Sequence, residues 1–149
     1  MIMHKRSTNK YNAISYILAA DDDLDDQELI KDALSDSDFN TDKLRFVSDG
    51  EELMSTLINA DSLPSIILLD LNMPKKNGRE ALAEIKANTS LRHIPVIIFS
   101  TSDSTLDIKE CYSLGTNAYM TKPNNYKDLV ETMQILLDYW IGRSQIVTD

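Results

Sequence analysis

Apolar and polar positions follow two rhythms that take turns along the chain. The mostly apolar runs YILAA (16–20), SIILLD (65–70) and IPVIIFS (94–100) are short enough to be buried strands. Pro95 is tolerable at the start of the last of these. Two weaker runs, KLRFV (43–47) and NAYMTK (117–122), complete a set of five. Between them apolar residues recur at steps of three and four, the helical spacing. These sets are Leu29, Ile30, Ala33 and Leu34, then Leu53, Met54, Leu57 and Ile58, then Ala81, Leu82 and Ile85. Ile108, Cys111 and Tyr112 form the fourth set, expected to face inward, with Gly115 as the helix stop. The last helix has the clearest stripe, through Tyr126, Leu129, Val130, Met133, Leu136, Leu137 and Trp140. Residues 1–13 and 142–149 are expected to be loose ends around one domain at 14–141.

Strands that alternate with helices imply right-handed crossovers and a parallel sheet covered on both faces. The fold class expected is therefore α/β, doubly wound. A length of 149 residues suits one such domain. No apolar run approaches the roughly 20 residues of a membrane helix, and the polar start lacks a signal peptide's apolar middle. A cytoplasmic location is expected, and the single cysteine, Cys111, fits a reducing compartment. The net charge of −9 argues against nucleic acid as a partner. His4 and His93 lack Cys or His partners at metal-ligand spacing and receive no role.

Chemistry enters with the residue that ends each strand. Asp21, Asp22 and Asp23 follow the first, Asp70 the third, Ser100 and Thr101 the fourth, and Lys122 then Pro123 the fifth. In an open parallel sheet these ends share one edge, and ligands bind there where the strand order reverses. In the order 2-1-3-4-5 the first and third strands adjoin, so Asp21, Asp22 and Asp70 converge with Ser100 and Lys122 beside them. Carboxylates gathered in one pocket repel one another and either take raised pKa values or recruit a cation, and Mg²⁺ suits such oxygen ligands. A cation, a lysine and a hydroxyl around one acid form a site for a phosphoryl group, with Asp70 as the attacking carboxylate. Taken singly, each feature has an ordinary explanation: three Asp before a helix are a cap, and Asp70 or Lys122-Pro123 is a loop. Their shared edge is what favours the chemical reading.

The segments ILAADDD, IILLDLNMPKKNG, IPVIIFSTS and AYMTKP together resemble the receiver domains of bacterial two-component response regulators over about residues 14–140. The resemblance implies a flavodoxin-like (βα)5 sheet of order 2-1-3-4-5. It implies Asp70 as phosphoacceptor and Asp21, Asp22 and the carbonyl of Asn72 as Mg²⁺ ligands with Asp70. Ser100 corresponds to the hydroxyl that bonds the phosphoryl oxygen, Lys122 to the family's lysine, and Tyr119 to its aromatic switch residue. It further implies a cis bond before Pro123 and a positive φ at Gly78. Asn72 and Ser102 fall where the family tunes phosphate lifetime. Ser100 stands where Thr is commoner, and Thr101 where a smaller residue is usual.

A stand-alone regulator is expected, phosphorylated by a sensor histidine kinase and signalling through the face of the fourth helix, fifth strand and last helix. The long first connection and the ending LLDYW resemble receivers that accompany phytochrome-type kinases. Its target is either a downstream protein or, in a relay, a histidine phosphotransfer protein. Ile135 and Tyr139 lie off the last helix's stripe, so that face serves either a homodimer or target contact or simple packing. The expected activity is self-phosphorylation and self-dephosphorylation only, not enzymatic turnover. A haloacid-dehalogenase-like phosphatase would want a second Asp where Asn72 stands, and a silent adaptor would not need Asp70, Asp22 and Lys122 together.

Overall fold

The computed structural model describes residues 14–143; His4 with the whole expected tail 1–13, and residues 144–149 of the other, lie outside them. The strands are β1 (Ile17–Ala20), β2 (Leu44–Val47), β3 (Ile66–Leu69), β4 (Val96–Ser100) and β5 (Ala118–Thr121). All pair in parallel, in the order β2-β1-β3-β4-β5. The helices are α1 (Leu24–Asp36), α2 (Gly50–Ile58), α3 (Gly78–Ala87), α4 (Thr105–Leu114) and α5 (Tyr126–Leu136). A 3-10 turn at Thr41–Lys43 precedes β2, and α5 continues as a π-helical stretch, Leu137–Arg143. The helical chain thus runs two residues beyond the expected boundary at 141.

The two faces of the sheet bury separate cores. Leu18, Ile67, Leu69, Val96 and Ile98 point into the layer of α2 and α3, where Leu53, Leu57, Leu82 and Ile85 meet them. Ile17, Ala19, Leu68, Ile97 and Phe99 point the other way, onto Ile30, Leu34, Met133 and Leu136 of α1 and α5. Burial on both sides explains why β1, β3 and β4 are apolar at successive positions.

Each helix starts on a side-chain cap. Asp23, Asp49, Asn77, Ser104 and Asn125 accept backbone N–H bonds at the first turns of α1 to α5. At α3 the cap is reciprocal: the Glu80 carboxylate accepts the Asn77 N–H while the Asn77 side chain accepts the Glu80 N–H. Asn77→Ala is expected to lower stability by about 1 kcal/mol in urea unfolding, and an unchanged midpoint would contradict that role.

Four apolar expectations fail at the edges of the helices. Tyr112 is exposed, because α4 buries only Cys111 fully. Leu29 and Ile58 are exposed as well. Tyr126 is exposed because its ring tip is held at the surface, where its hydroxyl donates to Asp36 Oδ2 at 2.6 Å. Two backbone expectations also fail. The described residues contain no cis peptide, so the bond before Pro123 is trans. Gly78 has no positive φ; it opens α3, and the loop's left-handed residue is Lys75, at φ 64°. A glycine is needed at 78 for space, since a Cβ there would stand 2.2 Å from the Asp70 carbonyl oxygen. The same holds at Gly50, where a Cβ would stand 2.2 Å from the Lys76 carbonyl oxygen.

Candidate functional site

The ladder runs one residue past the strand ends and so sets the acids in place. The Asp21 N–H donates to the Val47 carbonyl at 3.0 Å and the Asp70 N–H to the Ala20 carbonyl at 3.0 Å. The Lys122 N–H donates to the Ser100 carbonyl at 2.7 Å. Both acids are buried, Asp21 at 2% and Asp70 at 8% exposure, whereas Asp22 is exposed. A carboxylate oxygen from each of Asp21, Asp22 and Asp70 lies within 4.8 Å of the other two. That spacing suits one hard divalent cation, and an all-carboxylate donor set suits Mg²⁺, Mn²⁺ or Ca²⁺ better than softer metals.

Lys122 reaches into this cluster with its side chain 11% exposed. Its Nζ donates to Asp21 Oδ2 at 2.8 Å and to Asp26 Oδ2 at 2.9 Å, and stands 3.7 Å from Asp70 Oδ2. Asp26 is absent from the sequence-derived set. It lies in the first turn of α1, a place where an acid is ordinarily explained by the helix dipole, so no sequence signal pointed to it. The remaining Asp21 oxygen, Oδ1, accepts the Asp23 N–H at 3.0 Å, and the Gln27 amide holds the Asp21 carbonyl at 2.7 Å.

The electrostatics follow from burial and company. Burial pushes the Asp70 carboxyl up to about 6; the Lys122 charge opposes this, Asp21 adds to it, and the N–H groups of Asn72 and Leu71 oppose it. Burial likewise raises Asp21, against the pull of Lys122. Lys122 moves upward even though burial alone would lower it, because Asp21, Asp26 and Asp70 surround its ammonium with negative charge.

Ser100 and Tyr119 form a second group, joined to the first by the β4–α4 loop. Ser100 is fully buried and its Oγ accepts the Ser102 N–H at 3.2 Å. The Tyr119 hydroxyl donates to the Ser102 carbonyl at 2.8 Å, and the Ser102 hydroxyl donates to Asp107 Oδ2 at 2.6 Å. Thr101 is exposed beside Lys122 and Pro123. Asn72 is exposed on the loop after β3. Structure therefore unites Asp21, Asp22, Asp70 and Lys122 directly, and links Ser100 to Tyr119 through Ser102.

A parallel five-stranded sheet with an acidic cluster at the β1 and β3 ends and a lysine at the β5 end defines a signal-receiving α/β domain. Residues 17–134 match the family model described as response regulator receiver domain, and the chain belongs to that family of two-component signalling proteins. It is 37% identical over 139 residues to Response regulator Rcp1 of Synechocystis sp., spanning 90% of this chain and 94% of that one. The solved Mn(2+)-bound form of Rcp1 is 35% identical, with TM-score 0.79 over 90% of this chain and 99% of that one. The phosphorylated cyanobacterial phytochrome response regulator RcpA is 36% identical, with TM-score 0.81 at the same coverage of 90% and 99%. Response regulator RPA3017, from red light signaling of R. palustris, is 35% identical with TM-score 0.84, again covering 90% and 99%. Among the described residues no helix is long and apolar enough to cross a membrane.

Proposed function

We propose that this receiver takes a phosphoryl group onto Asp70 from the phosphohistidine of a sensor kinase and changes its α4-β5-α5 face in response. The observation that carries the reading is the convergence of Asp21, Asp22 and Asp70 within 4.8 Å, with the Lys122 ammonium among them. Asp21, Asp22, Asp70 and the Asn72 carbonyl would hold Mg²⁺, which when bound neutralises charge on the acceptor and on the transferred oxygens.

An Asp70 oxygen attacks phosphorus. The phosphorus–nitrogen bond to the donor imidazole breaks, and an acyl phosphate forms. Because the Asp70 carboxyl titrates near 6, it is mostly ionised, and so nucleophilic, at pH 7.5. Lys122 pairs with a phosphoryl oxygen, and the Ser100 hydroxyl donates to another. Because its Oγ also accepts the Ser102 N–H, a shift of Ser100 toward the phosphoryl group pulls on the loop that Tyr119 holds through the Ser102 carbonyl. Tyr119 then repacks, and the surface of α4, β5 and α5 changes with it. Water cleaves the acyl phosphate, returning carboxylate and inorganic phosphate; Asn72 and Ser102, beside the site, set how long that takes.

The kinase partner proposed is of the phytochrome type, since two of the relatives are described as phytochrome and red-light regulators. It would meet the receiver in the cytoplasm. Ile135 and Tyr139 are each 56% exposed, and offer the α5 surface to a second copy or to a downstream protein. A relay onward to a histidine phosphotransfer protein would use the same Asp70 chemistry in reverse. With Mg²⁺ and labelled acetyl phosphate, the wild-type chain is expected to gain one hydroxylamine-labile phosphate and Asp70→Asn none. Label on the Asn variant would refute Asp70 as the acceptor.

A further inference from the structure

The lysine of this site is shared with a residue that belongs to no part of the acidic cluster. Asp26 comes from the first turn of α1, and its Oδ2 accepts from Lys122 Nζ at 2.9 Å. Asp70 Oδ2 is 3.7 Å from the same nitrogen, beyond the 2.7–3.2 Å of an N–H···O bond. Two of the three ammonium donors thus go to Asp21 and Asp26, and none is spent at bonding distance on Asp70. Packing does not fix this choice. A hollow of about 120 Å³ lies beside the ammonium, lined by Asp26, Thr101, Lys122 and Pro123 among others. The Phe99 ring centre is 6.0 Å away, at the limit of cation–π attraction. Nor does capping of α1 require the Asp26 carboxylate, because Asp23 Oδ1 already accepts the N–H groups of Asp25 and Asp26 at 2.9 and 3.2 Å.

We propose that Asp26 is a positioning residue that holds Lys122 away from Asp70 until a phosphoryl group arrives; this rests on Asp70 being the phosphoacceptor. In the resting protein Asp26 competes with Asp70 for the ammonium. When phosphoryl oxygens gather at Asp70 they supply the stronger acceptor, and Lys122 leaves Asp26 for them. Asp26 also adds a negative charge beside the path of an anionic donor. Both effects slow phosphoryl transfer, so removal of this carboxylate's charge accelerates it.

Asp26→Asn is expected to take phosphate from acetyl phosphate with Mg²⁺ roughly 3- to 10-fold faster than the wild-type chain. Asp26→Glu, which keeps the charge, is expected within about twofold of wild type. A purely structural role would predict a slower or unchanged Asn variant. A second measurement needs neither metal nor phosphate: NMR of the Lys122 Nζ and Asp70 Cγ signals in the resting protein. Both are expected to move in Asp26→Asn and to stay in place in Asp26→Glu. An Asn variant no faster than wild type, a Glu variant as fast as the Asn one, or unmoved signals would each overturn the proposal. If the wild-type chain takes no label at all, the phosphoacceptor reading fails instead, and the NMR comparison alone decides whether Asp26 holds Lys122.

Discussion

Without divalent cation at pH 7.5, Asp70→Asn is expected to unfold about 5–10 °C above the wild-type protein. The reason is the position of the Asp70 carboxyl. Its folded value is about 6 against an ordinary 3.8, because burial disfavours the anion more than Lys122 and the loop N–H groups favour it. A group raised on folding contributes stability that is fully present below the unfolded value and lost as pH climbs through the folded one. Asparagine imitates the protonated acid, so the variant escapes that loss. At about 1.4 kcal/mol for each pH unit between the two values, the difference is on the order of 2–3 kcal/mol above pH 6.5. It shrinks toward zero near pH 4. Millimolar Mg²⁺ is expected to raise the wild-type melting temperature much more than the variant's, since Asp70 supplies one of the three converging carboxylates. Melting curves at pH 4 and 7.5, with EDTA and with Mg²⁺, check all of this. A variant no more stable than wild type at pH 7.5, or equally stabilised at pH 4, would show that the Asp70 charge is not the burden.

Gly78→Ala is the change expected to damage the fold most. Its methyl would stand 2.2 Å from the Asp70 carbonyl oxygen and 2.7 Å from Leu71 Cα, both backbone atoms just past the end of β3. Flexible side chains can move aside, but here strand β3 or helix α3 must shift. The Gly78 N–H, which donates to the Leu71 carbonyl at 3.0 Å, is strained in the process. Overpacking a core costs about 1–3 kcal/mol, and a clash with backbone belongs at or above the top of that range. Urea unfolding is expected to show a loss of about 3 kcal/mol, and phosphate uptake is expected to fall because the Asp70 carboxylate moves with its own carbonyl. A variant with wild-type stability would mean that α3 can slide away from the strand end freely.

How much of this was legible in the sequence depends on what a residue type can report. β1, β3 and β4 were legible because burial on two faces leaves no polar alternation, and helices between strands implied a parallel sheet; its order 2-1-3-4-5 came with the resemblance to receiver domains. Given that order, the convergence of Asp21, Asp22 and Asp70 was legible, since each follows a strand that ends on one edge. Asp26 was not, because a helix position says nothing about which lysine, nearly a hundred residues away, will reach it. Tyr112 and Tyr126 were misplaced inward because an aromatic ring counts as apolar in a periodic pattern. For Tyr126 the pattern could not show that the hydroxyl would be held by Asp36 at the surface. The trans bond before Pro123 and the negative φ of Gly78 are backbone states that a proline or a glycine permits without dictating.

The division of the sheet into two cores has one more effect. Lys122 lies on the side of Phe99, with α1 and α5, whereas Tyr119 packs into the opposite layer, with α2 and α3. The sheet thus separates the charged pocket from the aromatic ring, which are linked along β5 itself and through the turn after β4. Substitutions in the α2 and α3 layer that Tyr119 packs against are therefore a full strand layer away from the side chains around Lys122.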